Sequence, residues 1–276
     1  MGMAQETKEG DDELSLQEER SFKNILNIIE KETDFEVEYY DRSHLERRIS
    51  ARMHRTKASD YREYLNLLRR DDIEKDLLVE QLSVNVTGFF RDPSVWSQIK
   101  KLIRNIDEPV KAWSAACSDG REPYSLSMLL SNGNIRHNIT ATDIDEESLE
   151  TAYRGVYESL RTSDIVEQIS EFNSDLLEYV KETDEGKFKV KDVNRNVEFK
   201  EHDLIADGPM PPKDMVFCRN LFIYIDRKFR ENVYSTLTES LKSGGYLIIG
   251  KTESLPRNVS EDFSTFDREN RIYVKK

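Results

Sequence analysis

From residue 110 onward the chain alternates short apolar runs with stretches of helical period, and this alternation limits the possible folds more than any other feature. Residues 110–116, 139–143, 197–199, 215–218 and 246–249 read as strands, with helices expected over 122–130 and from Glu146. Strands separated by helices need crossover connections, and crossovers make neighbouring strands parallel. The expected class is therefore α/β. Residues 271–274 read as a last strand, at an antiparallel edge. Between Tyr157 and Val197 the alternation stops. Residues 163–181 are polar and helical in pattern, and 187–191 alternate like a strand. That length exceeds an ordinary connection, so an inserted β-subdomain is expected at about 158–198.

Before Pro109 the pattern is helical, and no glycine occurs between Gly10 and Gly88. Phe22, Ile25, Leu26, Ile28 and Ile29 form one stripe at helix spacing. Leu45, Ile49 and Met53 form a second, Tyr61, Tyr64, Leu65 and Leu68 a third, and Leu77, Leu78 and Leu82 a fourth. These stripes predict an all-helical domain over 16–95. Residues 1–15 are polar with little to bury, and a disordered tail is expected there.

Charge excludes some functions. The net charge is −13, so the molecule's own field opposes broad nucleic-acid binding. No apolar run approaches the roughly 18 residues of a membrane span, and the amino terminus lacks a signal-peptide core. Two cysteines, Cys117 and Cys218, indicate no disulfide framework and fit a reducing cytoplasm. The four histidines lack zinc-ligand spacing, so no metal site is expected.

Four segments carry candidate chemistry. In 113–125 a strand runs through small residues into a helix start at Glu122-Pro123, which lets a ligand approach free backbone N–H groups. It lacks the G-x-G-x-x-G spacing of a dinucleotide site. In 141–145 the second strand ends at Asp143, about 20 residues past that loop, where an acid can accept both hydroxyls of a ribose; Asp143 or Asp145 would equally cap the next helix. Residues 85–92, with Asn85, Thr87, Phe89, Phe90 and Arg91, lie at the junction of the two domains, where ligand sites often form. In 214–224 a strand ends in Arg219-Asn220, at the carboxyl edge where open α/β sheets bind ligands. Cys218 reads as a small buried hydrophobe.

Taken in order, these segments resemble the CheR-type chemotaxis receptor methyltransferases over about residues 20–276. The resemblance also rests on His44-Leu45-Glu46-Arg47-Arg48-Ile49, Glu122-Pro123-Tyr124-Ser125, Arg154-Gly155-Val156-Tyr157 and Gly250-Lys251-Thr252-Glu253-Ser254-Leu255. It implies a helical amino-terminal domain, a Rossmann-like S-adenosylmethionine-dependent methyltransferase domain over 96–276, and an inserted β-subdomain. It further implies that Asn85, Thr87, Arg91, Glu122, Asp143, Asp203, Leu204, Arg219 and Asn220 hold S-adenosylmethionine, with S-adenosylhomocysteine as product. The chain departs from the family pattern at Ala116, where glycine is usual, and at Asp119-Gly120-Arg121, where Thr-Gly-Glu is common. Asp203 replaces an asparagine and Lys251 a histidine.

Esterifying a glutamate needs little acid–base help, because a carboxyl of pKa about 4.3 is already ionised at neutral pH. Arg91 is assigned to orient that carboxylate and Tyr224 to line the methyl channel, with Asp143 or Glu122 holding the ribose. Residues 41–57 carry six basic groups against two acids, with Arg48, Arg52 and Arg55 on one helix face. In so acidic a chain this face is expected to dock on the cytoplasmic helical domain of a chemotaxis receptor, the alternative being an ordinary solvated face. A monomer is expected. The rival functions are a small-molecule methyltransferase and an adaptor that binds cofactor and receptor without turnover.

Overall fold

The computed structural model describes residues 3–33, 35–82, 87–107, 109–159 and 164–276, with side chains from Leu16 onward. The chain divides into two compact units. One is Met1–Val84 with Tyr224–Asp226, and the other is Asn85–Ile223 with Arg227–Lys276.

The first unit is helical, with α1 (Met3–Glu32), α2 (Arg42–Thr56), α3 (Tyr61–Leu68) and α4 (Asp72–Leu82). Helix α1 reaches back to Met3, through the stretch expected to be a disordered tail. Glutamate, glutamine, lysine and leucine there are strong helix formers, which polarity alone does not reveal. Asp41 caps α2 by accepting from Ser43 N (2.9 Å). Asp60 caps α3 by accepting from Glu63 N (2.7 Å), and Glu63 reaches back to Ser59 N (2.8 Å). The four stripes meet in one core of Phe22, Ile25, Ile29, Leu45, Ile49, Tyr64, Leu65, Leu68, Leu78 and Leu82. Leu77 is exposed, since its neighbour Leu78 takes the inward position and successive helical residues point about 100° apart.

The expected basic face on α2 needs correction. Arg52 is buried and turned inward, its Nε donating to Glu74 Oε1 (2.9 Å) and its Nη2 to Glu74 Oε2 (2.5 Å). Tyr64 donates to the same Oε1 at 2.7 Å. Arg52 is therefore a fixed part of the interior. Arg48 is half-buried, and burial lowers its affinity for its proton; Arg55 alone of the three is exposed.

The second unit starts with α5 (Pro93–Leu102), β1 (Val110–Ala115), α6 (Arg121–Asn132), β2 (His137–Asp143), α7 (Glu146–Arg154), β3 (Val156–Glu158) and α8 (Ile165–Asn173). It continues with β4 (Val180–Glu182), β5 (Lys187–Val190), β6 (Val197–Glu201), β7 (Lys213–Cys218), α9 (Arg227–Glu239), β8 (Leu241–Ile249), α10 (Arg257–Ser260), β9 (Phe263–Asp267) and β10 (Ile272–Lys275). The main sheet runs β6-β2-β1-β7-β8-β10-β9. Its first five strands are parallel neighbours, and β10 is antiparallel to β8 and β9. The chain moves outward from β1 to β2 and β6, then returns to β7 on the other side of β1. The switch point thus lies at the carboxyl ends of β1 and β7, where open sheets of this kind leave a crevice.

Two features differ from expectation. Helix α5 belongs to the second unit, because Val95, Trp96 and Ile99 pack in one core with Met215, Phe217 and Ile248 of the sheet. The last strand is covered by β9, whose Phe-Ser-Thr-Phe-Asp lacks clean alternation. The insertion is a small antiparallel sheet, β3-β5-β4, with α8 beside it. Its Tyr157, Ile165, Ile169 and Val190 join the main core along with Phe89 and Phe90. Phe89 and Phe90 thus bind the insertion and α5 to the sheet.

Residues Tyr224–Asp226 are grouped with the helices for a visible reason. Asp41 N donates to Tyr224 O (2.7 Å), Asp226 N donates to Tyr39 O (2.8 Å), and Tyr40 forms an antiparallel bridge with Ile225. The Tyr224 ring meets His44 edge-on at 4.9 Å.

Truncating Arg52 leaves the buried Glu74 carboxylate as an uncompensated charge with the Tyr64 hydroxyl as its remaining side-chain donor. Arg52→Ala is expected to destabilise the helical unit by about 3–5 kcal/mol in denaturant unfolding followed by circular dichroism. The double change Arg52→Met with Glu74→Leu is expected to cost less. Equal, small losses for both would contradict an interior role for the pair.

Candidate functional site

The loop after β1 is strained. Ala116, Ser118 and Gly120 take φ values of 55°, 51° and 86°, a left-handed region that costs a side-chain-bearing residue on the order of 1–3 kcal/mol. Gly120 is required by packing, since a Cβ there would come within 2.7 Å of Ala152 Cβ. The loop is pinned to the end of β2. Cys117 N donates to Thr142 O (2.8 Å) and Ser118 N to Asp143 Oδ2 (2.6 Å). Asp145 N donates to Asp143 Oδ1 (3.1 Å). Asp143 is buried, and burial raises its carboxyl to about 6 although these N–H groups favour the charged form. Ile144, next to it, is a large apolar side chain left 44 % exposed.

Near the start of helix α6, the side chains of Glu122 and Ser125 act on other elements. Glu122 accepts from Ser114 Oγ at Oε1 (2.8 Å) and from Arg219 Nη1 at Oε2 (3.3 Å). Arg219 also donates through Nη2 to Asp92 Oδ2 (2.6 Å) and to the Arg91 carbonyl (3.0 Å). Trp96 Nε1 donates to that same carbonyl at 3.0 Å. Ser125 Oγ accepts from Phe90 N (3.0 Å) and donates to Arg121 O (2.7 Å). Phe90 and Asp92 take positive φ values of 49° and 59°. Segment 87–92, which carries Arg91, is thus held against the carboxyl end of the sheet in a set and costly conformation.

The loop after β7 is built around Glu253. Its carboxylate accepts from Asn220 N (3.1 Å), Phe222 N (2.8 Å) and Gly250 N (2.6 Å). This network holds Asn220 at φ 64°. Gly250 has no room for a side chain, since a Cβ would lie 2.6 Å from Glu253 Oε2 and 2.8 Å from Asn220 N. Burial raises the Glu253 carboxyl above its ordinary range. Both cysteines are buried with thiols pushed well up, so neither is a nucleophile.

The structure brings Arg91, Glu122, Asp143, Arg219 and Asn220 to neighbouring strand ends and loops of one unit. Thr87 lies at the start of the same held segment, and Asn85 lies outside the described residues. Asp203 closes its own turn, with Oδ1 accepting from Ile205 N (2.7 Å) and Ala206 N (3.2 Å). Leu204 beneath it packs with Trp113, Ala115 and Val216. Tyr224 is grouped with the helices. Ser114, Ser125, Ile144 and Glu253 were not expected in the site. Ser125 and Glu253 stand in quoted motifs, but only their contacts reveal their work.

Among the described residues, four buried polar atoms at this edge have no hydrogen-bond partner: Ser118 Oγ, Arg121 Nε, Arg219 Nε and Asn220 Oδ1. Buried polar atoms are nearly always satisfied, so they mark places for a polar ligand. They flank the switch point beside the buried acid Asp143 and the exposed Ile144. A nucleoside carrying both a zwitterion and ribose hydroxyls fits this mixture of donors, acceptors and apolar surface. The arrangement suits a nucleoside-type ligand on an open α/β sheet.

Comparison with known proteins narrows the class. Residues 85–272 match the CheR methyltransferase SAM-binding domain, and residues 20–83 match the CheR methyltransferase all-alpha domain. The chain belongs to the CheR methyltransferase family. It is 27 % identical over 264 residues to a chemotaxis protein methyltransferase of Listeria monocytogenes, covering 93 % of this chain and 98 % of that one. A chemotaxis protein methyltransferase of Borreliella burgdorferi is 28 % identical over 239 residues, 79 % of this chain and 82 % of its own. Among solved structures, TehB from Haemophilus influenzae is 16 % identical with a TM-score of 0.38, covering 64 % of this chain and 59 % of its own.

Asp143 is expected to titrate near pH 6, readable from its side-chain carbonyl ¹³C shift. Its folded pKa lies above its unfolded value of about 3.9. The fold therefore takes up a proton between roughly pH 4 and 6, and this group's contribution to stability grows as pH falls through about 6. A midpoint near 4 would contradict a desolvated acid.

Proposed function

We infer that this chain esterifies glutamate side chains of chemotaxis receptors with methyl from S-adenosylmethionine, giving S-adenosylhomocysteine and glutamate methyl esters. The observation that carries the reading is the grip of Glu122, Arg219 and Ser125 on segment 87–92, which holds Arg91 beside the carboxyl ends of β1 and β7.

The cofactor, when bound, supplies an electrophilic methyl group on a positively charged sulfur. Asp143, ionised above about pH 6, is the acceptor we assign to the ribose hydroxyls. Each oxygen of both acids already has a partner, side chains for Glu122 and backbone N–H groups for Asp143, so Asp143 is assigned on its place at the carboxyl end of β2. Ser118 Oγ and Asn220 Oδ1 are polar atoms still able to take a ligand. Thr87, Asn85, Asp203, Leu204 and the Arg219-Asn220 pair complete the proposed cofactor set.

Arg91 orients the incoming glutamate carboxylate through a charge-assisted hydrogen bond. Positioning supplies most of the rate, since an aligned pair of reactants is worth up to about 7–11 kcal/mol. No general base is required, because the substrate carboxylate is ionised at pH 7. Tyr224 lines the methyl channel in this reading, its backbone tied to Asp41. Docking on the receptor's cytoplasmic helical domain falls to Arg48 and Arg55, joined by the exposed Arg47 and Lys57. Arg52 is excluded by its burial against Glu74. Action on that domain makes the cytoplasm the expected location, and no helix among the described residues is long and apolar enough to cross a membrane.

Labelled S-adenosylmethionine with receptor-bearing membranes is expected to give protein-bound methyl that mild base releases as methanol. Label in a small molecule, or none at all, would sink the reading. Arg91→Ala is expected to lower turnover by about 10²-fold or more with a melting temperature within a few degrees of wild type; unchanged turnover removes Arg91 from the mechanism. In calorimetry, S-adenosylhomocysteine affinity is expected to be level above pH 7 and to fall below about pH 6, as Asp143 gains its proton.

A further inference from the structure

Arg121 is one of the positions where this chain departs from its family's pattern, and its surroundings are specific. Its side chain is only 17 % exposed, and its Nη1 lies 3.1 Å from Asp119 Oδ2. The same Nη1 donates to the Thr87 carbonyl over a longer 3.4 Å. The guanidinium lies over the Tyr157 ring, 4.8 Å from its centroid, in cation–π geometry. Tyr157 in turn donates its hydroxyl to the Asp119 carbonyl (2.7 Å) and meets the Phe89 ring edge-on at 5.3 Å.

These contacts join three parts of the unit. Asp119 belongs to the loop after β1, Thr87 to the segment leading to Arg91, and Tyr157 to β3 of the inserted sheet. The insertion adds a second hold, since Phe89 N donates to Gln168 Oε1 of α8 at 2.9 Å. Arg121 and Glu122 are neighbours at the start of α6 and serve opposite ends of the same segment. Glu122, through Arg219, fixes Arg91 and Asp92, while Arg121 reaches Thr87. Ser125, one turn on, fixes Phe90 between them.

We propose that Arg121 is a positioning residue for methyl transfer: with Asp119 and Tyr157 it braces Thr87, so that the first turn of α6 sets both ends of the segment that presents Arg91. The stack on Tyr157 favours a flat cation, while a single nitrogen, Nη1, meets both Asp119 Oδ2 and the Thr87 carbonyl. Lysine offers a charge without the plane, and glutamine a plane and a donor without the charge. The insertion thereby takes part in catalysis through Tyr157. The proposal rests on the reading of Arg91 as the residue that orients substrate.

The test uses the full chain with receptor-bearing membranes, comparing Arg121→Ala, Arg121→Gln, Arg121→Lys and Arg91→Ala with wild type. Arg121→Ala is expected to lower kcat about tenfold at saturating cofactor, with the receptor KM within about twofold and the melting temperature within a few degrees. Arg121→Lys, which keeps a cation within reach of Asp119 and Thr87, is expected to recover part of the lost kcat, and Arg121→Gln, too short to reach Thr87, less. Hydrogen exchange at amides 87–91 is expected to quicken in the alanine variant and to slow again in the lysine one. If Arg91→Ala is inactive while Arg121→Ala keeps kcat within twofold, the brace is wrong and the Arg91 reading stands. If Arg91→Ala turns over normally, the underlying reading fails first. Should the alanine variant not fold, kcat in the glutamine and lysine variants decides: values equal to wild type in both overturn the proposal.

Discussion

The site depends on one buried ion pair, Glu122 with Arg219. Glu122 begins α6 and Arg219 ends β7, so the pair closes the sheet's switch point from within. Arg219 is 2 % exposed and could not stay charged there without partners. Its partners are Glu122, Asp92 and the Arg91 carbonyl, and they connect strand, helix and segment 87–92 in one network. Ser114 completes it from β1. Removing one member would leave a buried charge unpaired, so the conformation of 87–92 is tied to the stability of the sheet itself.

Around this pair the backbone is strained in a consistent way. Phe90, Asp92, Ala116, Ser118 and Asn220 all take positive φ without being glycine. Four of the five have a compensating contact nearby: Ser125 for Phe90, Arg219 for Asp92, Asp143 for Ser118, Glu253 for Asn220. The strain turns polar atoms toward the switch point and leaves several of them free for a ligand. Ala116 fits this pattern, since the position that usually holds glycine in the family keeps a left-handed conformation here.

Much of this was legible in the sequence. Period-two and period-3.6 runs marked the parallel strands and helical stripes, and Asp143 and Arg219-Asn220 stood at strand ends as their spacing required. What was not legible depended on partners distant in sequence. Counting charge on α2 could not reveal Glu74, 22 residues away, which draws Arg52 into the interior. Val95 looked helical and was given to the helical domain, yet it packs with Met215 and Phe217 of the sheet. Nothing local marked Glu253 as the acceptor of three N–H groups, or Tyr224 as a residue bonded to Asp41. Strand β9 escaped because an edge strand need bury only one residue, here Phe263.

The account makes loops 116–120, 143–145 and 219–222 and segment 87–92 walls of a single cofactor site. Hydrogen–deuterium exchange on the intact chain, with and without S-adenosylhomocysteine, tests this directly. All four stretches should slow together, along one saturation curve whose midpoint agrees with calorimetry. Slowing confined to one of them, or centred elsewhere in the chain, would contradict a common site.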